Sequence, residues 1–139
     1  MAHIRKQLRD KVQAMLITAL STSNVFVNRT HAIQESELPA AIIKTSRESV
    51  EISGMNSIDR DIELTIDLYE KSAETVDDDL DALCVLVENA FNADVTIGAD
   101  YKELVSTEID IDDGDQQVGI ATMVYQIQVI DSVNPETVI

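Results

Sequence analysis

The densest run of possible ligand atoms is Glu108-Ile109-Asp110-Ile111-Asp112-Asp113-Gly114-Asp115, five carboxylates around one glycine. Such a run invites a calcium reading, because Ca2+ prefers a shell of hard oxygen ligands. An EF-hand loop needs oxygens at its first, third and fifth positions, glycine at the sixth and a bidentate glutamate at the twelfth. Counted from Glu108, the sixth position is Asp113 and the twelfth is Gly119; counted from Asp110, the fifth is Gly114 and the twelfth Ala121. Both registers fail, so the run reads as an alternating strand entering an acidic turn, with room only for a weak cation site shared between subunits. A second cluster, Asp77-Asp78-Asp79 with Asp81, falls where a helix begins, and the helix dipole accounts for it. Cys84 lies on an apolar stripe between Leu83 and Val87 with no cue for an activated thiol, and reads as a core residue. His3 and His31 are too few for an ordinary zinc site. The glycines, Gly54, Gly98, Gly114 and Gly119, are isolated and form no phosphate loop. The 26 acids can be paired in many ways, so no pair is singled out. Catalytic residues, a metal and a cofactor are therefore not expected.

Periodicity predicts the elements that would position these groups. Ile4, Leu8, Val12, Met15, Leu16, Ala19 and Leu20 recur at three- and four-residue steps and predict a helix over residues 3–20. Arg5, Lys6, Arg9 and Gln13 fall off that stripe, and Ser21-Thr22-Ser23-Asn24 ends it. A short β run, Val25-Phe26-Val27, leads through a loop to Pro39, which suits the first residue of a strand because it lacks an N–H. Strands are expected over Ala40–Thr45 and, after a polar link, Ser49–Ser53. Asp61–Tyr69 alternates most clearly, with Ile62, Leu64, Ile66 and Leu68 on one face and Glu63, Thr65 and Asp67 on the other. A second helix is expected over 76–92, with Thr75 as N-cap and Asp78 closing a capping box. Val76, Leu80, Leu83, Cys84, Val87 and Phe91 make its apolar face. Val105–Ile111 and Val118–Ile130 read as a hairpin turning at Asp112–Asp115, and 132–139 as a tail that frays or serves a partner. The expected fold is α/β of the α+β type, with one domain over residues 1–131. It is a mainly antiparallel or mixed sheet of about five to six strands with two helices on one face.

Charge narrows the function classes. The net charge is −16, unevenly placed: residues 1–47 hold seven Lys/Arg against three acids, and the remaining 92 hold three bases against 23 acids. The halves are thus +4 and −20, and so acidic a chain has little long-range attraction for a phosphate backbone. In a head-to-tail ring each subunit offers one surface to a different surface of its neighbour, and opposite charge there would help set register. The cations at issue are Arg5, Lys6, Arg9, Arg29 and Arg47, and the acids Asp112, Asp113 and Asp115. Loops at 28–37, 53–60 and 112–117 are expected to project toward partners. No apolar run of signal-peptide or membrane-span length occurs, and a single cysteine precludes an intrachain disulfide.

Taken in order, three stretches resemble the tail terminator family of long-tailed phages, the minor tail protein U type of lambda-like phages. They are the opening helix with Leu8-Arg9-x-x-Val12 and Ala19-Leu20; Asn28-Arg29 through Glu35-x-Glu37-Leu38-Pro39-Ala40 into Ile42-Ile43; and the final hairpin. The last carries Ile109-Asp110-Ile111-Asp112-Asp113, then Ala121-x-Met123-x-Tyr125-x-Ile127-x-Val129. The resemblance implies a small α/β subunit of a homo-hexameric ring that caps the tail tube, ends its polymerisation and offers the surface for head–tail joining. The implied partners are further copies of the chain, the major tail-tube protein and a head–tail connector or neck protein. Genomic DNA would pass through the pore without specific binding, and no membrane is involved. The implied location is the head-proximal end of the tail in the virion, reached from the host cytoplasm. Two other readings are a neck completion protein and an acidic regulatory module that mimics nucleic acid.

Overall fold

A computed structural model describes residues 2–27, 29, 32–72, 74–94, 97–112, 117–130 and 132–139. Helix α1 spans Ile4–Leu20, and Ile4, Leu8, Val12 and Leu16, spaced four apart, are fully buried. Burying each contributes about 2 kcal/mol, far more than helix propensity alone. The Nδ1 atom of His3 accepts from the Arg5 amide at 3.1 Å to cap the first turn, and Ser21 ends the helix in the left-handed region at φ 53°.

Helix α2 spans Val76–Ala93 and buries Val76, Leu80, Cys84, Val87 and Phe91. The expected capping box does not form. Thr75 is the N-cap, but its hydroxyl lies 3.1 Å from Ser72 Oγ and donates to Asp79 Oδ2 at 3.4 Å instead of accepting from the helix. Asp77, Asp78 and Asp79 still sit in the first turn, where the helix dipole favours anions.

The sheet has five strands: β1 (Val25–Val27), β2 (Ala40–Gly54), β3 (Ser57–Ser72), β4 (Tyr101–Asp112) and β5 (Gln117–Val129), in the order β1-β2-β3-β5-β4. The β1–β2 pairing is parallel and the others are antiparallel, so the fold is α+β with a mixed sheet. Both helices share one core with Ile62, Leu64, Ile66 and Leu68 of β3 and Ala121, Met123, Tyr125, Ile127 and Val129 of β5. The opposite face of the sheet, bearing Asp61, Glu63, Thr65 and Asp67, is not covered by either helix.

Where alternation predicts two strands and a link, the chain runs as one strand with a bulge. Thr45 pairs with Leu64 and Arg47 with Glu63, leaving Ser46 as the extra residue. A bulge shifts the period-two phase. Thr45 and then Glu48 therefore lie on the helix side opposite Leu64 and Ile62, while Lys44 and Arg47 lie on the open side opposite Thr65 and Glu63. β4 has a similar shift between Leu104 and Ser106, which takes Val105 out of phase with Thr107, Ile109 and Ile111. Beneath α2, a Cβ on Gly119 would fall 2.6 Å from Leu80 Cδ1 and 2.9 Å from Val76 Cγ2. A glycine in mid-strand is what lets the helix approach so closely.

Residues 132–139, expected to fray or to serve a partner, make hydrogen bonds with α1. The Ile4 amide donates to Pro135 O at 2.7 Å, Gln7 Nε2 to Thr137 O at 2.9 Å, and the Ile139 amide to Gln7 Oε1 at 3.1 Å. Lys11 Nζ also donates to Ile139 O.

Candidate assembly interface

The four arginines singled out in the sequence gather at the β2 side of the molecule. Arg5 and Arg9 leave α1 toward β2: Arg5 donates to Glu48 Oε2, and Arg9 Nη1 to Thr45 Oγ1 at 2.5 Å. Arg29, just past β1, donates to both carboxylate oxygens of Glu37 at 2.6 and 2.7 Å. Its guanidinium carbon also stands 4.4 Å from the Phe26 ring centre. That bidentate bond and the Gln34 amide hold the Glu37 carboxyl at a pKa of about 2. Arg47 lies on the open face of β2 beside Ser49, Asp61, Glu63 and Gln126. Arg9, Arg29, Ile43, Lys44 and Thr45 line a pocket of about 240 Å³ at this edge, and Arg9 Nε is buried there with no described hydrogen-bond partner.

Asp112 ends β4, on the far side of the sheet from these arginines. Asp113 and Asp115 lie outside the described residues. Of the loops expected to reach partners, 53–60 is mostly strand: Gly54 pairs with Ser57 across a two-residue turn, Met55-Asn56, with Asn56 at φ 60°. The turn projects, with Ile52 81% and Met55 95% exposed. Loops 28–37 and 112–117 are only partly described, for Asn28, Thr30, His31 and residues 113–116 fall outside.

The sequence did not reveal a buried ionic cluster just behind this edge. Glu48 accepts from Arg60 Nη1 at 2.6 Å and from Arg5, with the Glu48 and Arg60 side chains only 7% and 11% exposed. Burial opposes ionisation of Glu48, but the hydrogen bonds and charges of Arg60 and Arg5 outweigh it and hold its carboxyl below the ordinary value. Arg60 Nε also donates to Ser132 O at 2.9 Å, which ties β2, β3 and the C-terminal residues together. The signal that could have revealed it was the bulge, which turns Glu48 inward and which no composition rule exposes.

The acids of β4 also gain significance from their place. Glu103, Glu108, Asp110 and Asp112 are exposed, and among the described residues none of them is in an ion pair. The one cation of β4, Lys102, is taken up by Asp94 at 3.1 Å. On the open face Asp67 is engaged too, with Lys44 at 3.0 Å and the Thr122 hydroxyl at 2.9 Å.

Cys84 is buried, and burial with the nearby charges of Asp81 and Glu88 pushes its thiol up. The His3 pKa is lowered by burial and by Arg5. Among the described residues, no group of three or more His, Cys, Asp or Glu could hold a metal ion. No described helix is long and apolar enough to cross a membrane.

No family model matches the sequence, and no curated protein matches it. Among solved structures, the chain is similar to one in the virion of a native gene transfer agent particle, with a TM-score of 0.53 and 13% identity. The match covers 93% of this chain and 92% of the other. At that identity the likeness is one of fold, and it runs end to end.

Proposed function

We propose that the chain is a structural subunit of a virion, and more narrowly a tail terminator. It caps the tail tube as a ring, hexameric by the resemblance, ends polymerisation and presents the surface for head–tail joining. The observation that carries the reading is the end-to-end likeness in fold to a chain of a gene transfer agent virion, at 93% and 92% coverage. The gathering of cations on the β2 side and the run of exposed acids along β4 support it, because a head-to-tail ring needs two different complementary surfaces. On this reading the chain catalyses nothing and holds no cofactor. Its work is a surface that fits the growing tube end without reproducing it. Its partners are further copies of itself, the tail-tube protein and a neck protein, and DNA passes through the pore unbound. It acts at the head-proximal end of the tail, after assembly in the host cytoplasm.

Deleting the gene in a particle-producing strain and imaging tails by negative stain tests this. Overlong tubes are the expected result. Tails of normal length that fail to join heads would assign the chain to the neck instead, and unaltered particles would remove the virion reading altogether.

A further inference from the structure

The sheet ends in two open edges of similar length. β1 covers β2 only at Ala41, Ile42 and Ile43, so from Lys44 to Gly54 the outer edge of β2 has no described strand beside it. β4 closes the other side of the sheet, and from Tyr101 to Asp112 no described strand lies along its outer edge. Long open edges offer rows of backbone N–H and C=O groups and template pairing with another chain.

The β4 edge is acidic, and the β2 edge presents two cations beside one outward acid, Glu51, with Glu48 turned inward to Arg60. Lys44, half-exposed although paired with Asp67 of its own copy, and Arg47 lie on the open face of β2; Arg9 lines the edge pocket with Lys44, its Nε buried with no described hydrogen-bond partner. Glu103, Glu108, Asp110 and Asp112 project from β4. Each edge also exposes apolar side chains, Val50 and Ile52 on β2 and Val105 and Ile109 on β4.

We propose that the β2 edge of one copy pairs with the β4 edge of the next, so that the ring is held by one sheet continued from subunit to subunit. This deepens the self-assembly part of the proposed function and rests on it. The geometry fixes the sense of the junction. β2, β3, β5 and β4 are antiparallel in turn, so β2 and β4 run in opposite directions within one copy. Rotation about an axis near the strand direction keeps every copy pointing the same way. The junction is then antiparallel, and all helices stay on one side of the continued sheet.

Level also agrees with charge. Lys44 lies in one row with Thr65, Val124 and Ser106, and Arg47 in one row with Glu63, Gln126 and Glu103. With little stagger, Arg47 meets Glu103 of the next copy, and Lys44 meets it at Ser106, between Glu103 and Glu108. Pairing β4 with β4 would instead set four carboxylates against four, which disfavours a symmetric dimer and leaves the head-to-tail arrangement.

Mixing isotope-labelled and unlabelled chain at about millimolar concentration and cross-linking with a carbodiimide tests the junction. Peptides of mixed isotope joining Lys44 to Glu103, Glu108 or Asp110 are expected. In sedimentation, Arg47→Glu and Glu103→Lys should each weaken association about 10-fold, and a mixture of the two should recover it at the doubly altered junction. Arg47 and Glu103 have no described intrachain ion pair, so folding is not at stake. Cross-links through other surfaces, a chain that stays monomeric, or variants that associate like the parent would each overturn the junction. Overlong tails in the deletion strain alongside any of these results would leave the terminator reading standing and remove only this contact.

Discussion

Replacing Glu48 by glutamine removes the charge that holds Arg60 and Arg5 together. The Arg60 guanidinium is nearly buried, and its remaining acceptor is Ser132 O at 2.9 Å. Removing one partner of a buried pair costs about 3–5 kcal/mol, because the other charge is left uncompensated. Arg5, with its side chain 41% exposed, can turn to water, so the lower end applies, about 3 kcal/mol. For a chain of this length that is a fall in Tm of roughly 10 °C. The sign of the pH dependence follows from the depressed Glu48 carboxyl. Its contribution is fully present above the ordinary value of 4.5 and is lost as pH falls through the lower folded value. Urea unfolding of parent and Glu48→Gln should therefore show a gap that is widest near neutral pH and narrows in acid. A double variant, Glu48→Met with Arg60→Met, should lose less than Glu48→Gln alone, since no unpaired charge remains. A gap under about 1 kcal/mol at neutral pH, or one that does not narrow in acid, would refute the reasoning.

Three further outcomes are expected. Gly119→Ala places a methyl group against Leu80 and Val76, and the melt should show a loss of about 1–3 kcal/mol from the displaced α2. Gly98→Ala would set a Cβ 2.5 Å from the Ile139 carbonyl carbon. Hydrogen exchange should then quicken at the Ile139 and Ile4 amides, while β3 keeps its protection. The Cys84 thiol, buried and shifted up, should alkylate at least about 100-fold more slowly in native protein than in urea. A comparable rate in both would place it at the surface.

Much of the fold was legible because its strongest signals are local. The stripe from Ile4 to Leu16 and the alternation from Ile62 to Leu68 follow from periods of 3.6 and 2, and the acidic start of α2 from the helix dipole. What stayed hidden depended on phase and distance. Ser46-Arg47-Glu48 reads as a polar link only because one extra residue inverts the alternation there. The start of β4 at Tyr101 was obscured in the same way by the shift at Val105. Charge asymmetry was visible as two totals, but its arrangement on opposite edges required the strand order. The Glu48–Arg60 pair needed both, since the bulge turns Glu48 inward and the β2–β3 register brings Arg60 to it.

The docking of residues 132–139 on α1 also orders events in time. Gln7 and Thr137 are 130 residues apart in sequence, so the helix acquires hydrogen bonds from residues made long after it. The central strand β3 likewise waits for β5 before its second edge is covered. During synthesis the apolar stripe of α1 can nucleate but cannot be completed, because the closing contacts are long-range. A chain cut before residue 132 therefore lacks the Pro135 carbonyl that accepts from the first residue of α1.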